Sequence, residues 1–89
     1  MEKFQFTLEY TDNKKNYNVK DFFTKDGHLP FDTHSKEETL IMMQEIAASL
    51  QINDAYGLSR LELMLRYELP FFTTNRILVK NWVMGNFIY

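Results

Sequence analysis

Apolar and polar residues alternate at the start of the chain, where Phe4, Phe6, Leu8 and Tyr10 are interleaved with Lys3, Gln5, Thr7 and Glu9. A period of two places the apolar side chains on one face of a strand. The polar, turn-forming residues 11–16 separate this run from a second extended stretch at 17–23. Together they predict an N-terminal antiparallel β-hairpin with an aromatic inner face. Residues 25–33 read as a loop, because Asp26-Gly27 supports a positive φ and Pro30 holds Leu29 extended. Ser35 precedes Glu38 by three residues, the capping-box spacing that starts a helix. Leu40, Met43, Ile46, Ala47 and Leu50 then recur at three and four, predicting a central amphipathic helix from about Lys36 to Gln51 that ends near Asn53 and Asp54.

The last third carries two periodicities at once. Leu61, Leu63, Leu65, Tyr67 and Leu69 alternate with Glu62, Met64, Arg66 and Glu68, as in a strand. The same stretch lacks Val, Ile and Thr and is rich in strong helix formers. It also has a second capping-box spacing at Ser59 and Glu62, an i,i+4 Glu62–Arg66 pair, and Pro70 as a stop. These local signals favour a helix. Residues 76–84 are divided too, with Ile77, Val79 and Val83 suiting a strand while Leu78 and Trp82 pair at helical spacing. The expected fold is therefore α+β in a single small domain, 1–89: the N-terminal hairpin, the central helix, and a C-terminal part that is either helix-turn-helix-like or a second β-hairpin, giving ββαββ.

Read as helices, 58–88 resembles a winged helix-turn-helix, with a first helix at 60–68, a turn at 69–72, a second helix from Thr73, and Gly85 turning into Phe87 and Ile88. The resemblance implies that Phe72, Asn75, Arg76, Val79 and Lys80 face the major groove, where Asn and Arg can read adenine and guanine edges. Two features depart from that pattern. Asn81 stands where such helices usually bury a Leu, and Val79 and Val83 are apolar for a groove-facing surface.

Composition narrows the functional classes. The net charge of −2 argues against bulk electrostatic capture of nucleic acid or anionic lipid. Its distribution is uneven, with ten acids against six bases in residues 1–54 and two acids against four bases (Arg60, Arg66, Arg76, Lys80) in 55–89. No cysteine is present, which removes disulfides, thiolate metal sites and a Cys nucleophile. The N-terminus does not read as a secretory signal, and no apolar run reaches the ~18 residues that span a bilayer. A cytoplasmic protein without membrane association is the expectation. The surplus of Phe, Tyr, Met, Ile, Asn and Lys fits an AT-rich bacterial or phage genome.

Candidate chemistry is sparse. His28 and His34 share a loop with Asp26, Asp32, Glu37 and Glu38, all possible metal ligands, but at spacings that match no regular metal-binding pattern. Glu37 and Glu38 are better explained as first-turn acids complementing a helix dipole than as a general acid/base pair. Ser35, Ser49 and Ser59 lie in no nucleophile motif. No enzyme activity, metal or cofactor is expected. Phe71, Phe72, Trp82, Phe87 and Tyr89 form an aromatic-rich C-terminal set that either completes the core or meets a protein partner, a homo-oligomer included. The sequence thus suggests a small non-catalytic regulator or inhibitor acting on a protein partner, with DNA binding through the C-terminal half as the alternative.

Overall fold

Each helix begins behind a side chain that accepts one of its free N–H groups. The structure, a computed structural model, describes residues 6–11 and 16–87. Asn18 caps α1 (Val19–Phe22), Ser35 caps α2 (Lys36–Leu50), Asp54 caps α3 (Ala55–Leu63) and Asn75 caps α4 (Arg76–Asn86). Such caps satisfy donors that the first helical turn leaves open and typically contribute about 1 kcal/mol each. α2 ends with Gln51 in the left-handed region (φ 59°, ψ 44°), and the Ile52 N–H bonds back to the Ala47 carbonyl at 2.9 Å. That is the geometry of a helix stop usually given to glycine.

α3 runs on into a π-helical turn, Met64–Glu68. Such a turn takes about one residue more than an α turn and rotates the side chains beyond it to a new facing. Met64 and Leu65 are both buried as a result, beside Leu61 and Glu62. Pro70 then ends the helix, with Leu69 extended before it (φ −70°, ψ 128°).

α2 is the central element, against which α3 and α4 pack. Phe22, Met42, Met43, Ile46, Leu61, Met64, Leu65, Val79 and Val83 form the fully buried centre of the core. Burial extends around α2 beyond the predicted stripe, since Ile41 and Met42 are buried while Leu40 and Leu50 are only half-buried.

The α+β expectation is overturned. Among the described residues there is no strand, only an isolated parallel bridge between Thr11 and Ser35. Residues 3–5 and 12–15 of the expected hairpin lie outside the described residues. Residues 6–10 are non-helical but pair with no strand. Their backbone N–H groups at Thr7 and Leu8 donate to the Glu62 carboxylate on α3 at 3.1 Å each, so a side chain replaces the strand ladder. The second run, 17–23, is largely helical because Asn18 caps α1, the cap prevailing over the β preference of Tyr17, Val19, Phe22 and Phe23. Its aromatics pack edge to face, Phe22 on Tyr17 and on Phe23.

The second-hairpin alternative fails as well. Of its intended inner face, Leu61 and Leu65 are buried but Leu63 and Tyr67 are exposed, while Glu62 and Met64 from the opposite face are buried. The helix starts at Ala55 instead of near Ser59, because Asp54 takes the Gly57 N–H. α4 starts at Arg76 instead of Thr73. Gly27 has no positive φ; it is needed for room, since a Cβ there would sit 2.6 Å from both the Phe23 carbonyl and Ile77 Cγ1.

Candidate functional site

The connection between α3 and α4 displays the most exposed aromatic side chain of the described residues, Phe71, beside a second exposed one, Phe72. Pro70 opens a β-turn closed by the Thr73 N–H on the Pro70 carbonyl at 3.1 Å and reinforced by the Thr73 hydroxyl on the same oxygen at 2.7 Å. Phe71 and Phe72 occupy the two central positions. A turn of this kind makes no demand for an aromatic side chain at either position, so its backbone geometry does not account for two phenylalanines there. Phe71 is 94% exposed and Phe72 53% exposed, with their rings edge to face at 5.9 Å. A further bond, Thr74 N–H to the Phe72 carbonyl at 3.0 Å, holds the backbone beyond the turn.

The other aromatics of the predicted partner-binding set lie elsewhere. Trp82 and Phe87 are half-buried and pack against the core, and Tyr89 lies outside the described residues. Nearer the turn, the outer face of α3 and its π turn contributes residues that sequence reasoning did not single out. Tyr56, Leu63 and Tyr67, at spacings of seven and four, are 71%, 39% and 67% exposed. Once 55–68 is known to be helical, that spacing places them on one face, which is the signal that could have found them. Arg60 and Glu68 lie on the same face and form a two-point ion pair at 2.6 and 3.1 Å. The residues are eight apart, a separation the π turn brings into register. Hydrogen bonding to Glu68 raises the Arg60 pKa above its ordinary value.

The predicted groove-reading residues do not form a common surface. Arg76 and Val79 are buried. The Arg76 guanidinium lies 3.9 Å above the Phe22 ring and 3.7 Å from the Glu38 carboxylate, in a buried ionic cluster at the start of α4. Asn75 caps the helix by accepting the Leu78 N–H. Lys80 pairs with Glu45 at 3.1 Å and lies over the Phe23 ring. Phe72 alone of the five is a largely exposed side chain. Arg66 completes the picture, since it donates to the Glu9 and Thr33 carbonyls and stacks 4.6 Å over Tyr10. All four C-terminal cations are therefore engaged within the chain.

Two buried carboxylates that read from sequence as capping residues serve instead as internal staples. Glu62 accepts four hydrogen bonds: Thr7 N–H and hydroxyl on Oε1, Leu8 N–H and Tyr10 hydroxyl on Oε2, at 2.7 to 3.1 Å. The ion pair expected with Arg66 is not among those of the described residues. Burial, followed by the hydrogen bond to Glu62 and its negative charge, raises the Tyr10 pKa. Glu38 accepts from Tyr17 and from the Asp32 N–H while facing Arg76. A donor-saturated, buried carboxylate fixes neighbouring chain segments, which is a structural role. His28 and His34 are exposed, and among the described residues no three His, Cys, Asp or Glu side chains gather as a metal site. No helix of the described residues is long and apolar enough to cross a membrane. Comparison with protein-family models, with curated proteins and with solved structures gives no match for this chain.

Proposed function

We propose that the chain is a small, non-catalytic cytoplasmic protein that regulates or inhibits a protein partner by seating Phe71 and Phe72 in it. The observation that carries this reading is the hydrogen-bonded turn that presents both rings to solvent. Burying a Phe side chain yields about 1.5–3 kcal/mol, and a turn already fixed by two bonds to one carbonyl lowers the ordering cost of using it. Rigid aromatic anchors of this kind dominate binding energy in protein interfaces. The test places a photo-crosslinking phenylalanine at Phe71 and irradiates it in extract of the native host. A discrete protein adduct, lost when Phe72 is also changed to Asp, supports the reading; no adduct from position 71 or 72 overturns it.

A further inference from the structure

We propose that the partner seated on this surface is a second copy of the chain, joined through the outer faces of two antiparallel α3 helices. The inference rests on reading the exposed aromatics as a binding surface and names their occupant. Tyr56, Leu63, Tyr67, Phe71 and Phe72 together leave roughly 650 Å² of side chain exposed, taking an aromatic side chain at ~200 Å². A contact that covered all of it would approach the ~800 Å² that each partner brings to a standard interface.

Charge selects the geometry. Arg60 and Glu68 lie on this same face and keep 32% and 42% of their side chains exposed, leaving capacity for further hydrogen bonds. A parallel two-fold pairing sets Arg60 against the partner's Arg60 and Glu68 against the partner's Glu68. An antiparallel two-fold pairing centred at the level of Met64 sets Arg60 against the partner's Glu68, twice, by symmetry. It also brings Tyr56, at the start of one helix, to the Phe71–Phe72 end of the other. The face already carries this internal ion pair, and the antiparallel orientation adds cross-chain contacts of opposite sign to it where the parallel one adds contacts of like sign.

Sedimentation velocity across the micromolar range tests this with Arg60→Glu and Glu68→Arg. In either variant every cross-dimer pair is of like charge, and the internal pair is of like charge too. In an equimolar mixture, each Glu at position 60 or 68 of one chain faces an Arg of the other. The wild type is expected to be a dimer, each variant alone a monomer, and the mixture a dimer. Tyr67→Ser, which leaves the charges intact, is expected to weaken the dimer by about tenfold or more. A monomeric wild type, or a mixture that stays monomeric beside a dimeric wild type, overturns the proposal. A monomer that still yields the Phe71 photo-adduct with another protein overturns self-association alone; a monomer with no adduct overturns the underlying reading as well.

Discussion

Replacing Glu62 with Gln changes one atom type in a fully buried side chain, and donor counting gives its consequence. The carboxylate offers two acceptor oxygens to two backbone N–H groups and two hydroxyls. A glutamine offers one acceptor and one NH₂. With its oxygen toward Thr7, the NH₂ faces the Leu8 N–H and the Tyr10 hydroxyl; the hydroxyl can turn to accept, but the Leu8 N–H cannot. With the amide flipped, the Thr7 N–H is stranded in the same way. One orphaned N–H costs about 1–3 kcal/mol, and the remaining bonds lose their charge assistance, so a total of about 2–4 kcal/mol is expected. For a domain of this size that corresponds to a fall in Tm of roughly 10 °C or more. Urea unfolding followed by circular dichroism gives the free energy, and hydrogen exchange at Thr7 and Leu8 locates the loss. A Glu62→Gln variant within about 0.5 kcal/mol of wild type, with Leu8 still protected, would refute the reasoning.

Local geometry fixes three further outcomes. Gly27→Ala drives a Cβ to 2.6 Å from the Phe23 carbonyl and Ile77, and is expected to cost about 1–3 kcal/mol in urea unfolding; Ile77→Ala should relieve it only in part, because the carbonyl stays. Gln51→Gly removes the steric cost of a left-handed residue at the end of α2 and should raise stability by about 0.5–1 kcal/mol. Tyr10 is an acid whose folded pKa is raised, so its contribution is complete below the unfolded value of about 10 and declines as pH rises through that value toward the folded one. A pH series of urea unfolding should show this alkaline decline in the wild type and a shallower one in Tyr10→Phe.

The sequence and the structure part company where one signal has two structural uses. α2 is legible because its cap and its apolar spacing agree, and both act within the helix itself. The helical state of 61–68 is legible from propensity and the Pro70 stop, whereas the Ser59–Glu62 capping signal is not the one the chain uses, since Asp54 caps the helix and Glu62 holds residues 7–10. The alternation misleads at residues 6–10, because period two fits any extended segment lying on an apolar surface. What completes residues 6–10 is a carboxylate more than fifty residues away in sequence, at Glu62, and no local pattern marks it. Asn18 with Asp21 three residues later is a readable helix start, outweighed by the aromatic run around it. At the site, sequence identifies the aromatic surplus but cannot divide it. Trp82 and Phe87 pack against the core while the Pro70–Thr73 turn leaves Phe71 exposed, a division set by tertiary packing and not by local pattern. Arg76 shows the converse, a cation assigned to the surface that the fold buries between Phe22 and Glu38.

The central claim is that the turn holds Phe71 outside the folded core, ready for a partner. Its most direct test is the unfolding free energy of Phe71→Ser, measured at a concentration where the chain is monomeric. A ring 94% exposed should contribute almost nothing to folding, so a value within about 0.5 kcal/mol of wild type is predicted. A loss of about 2 kcal/mol or more, as expected for a buried Phe, would contradict the account.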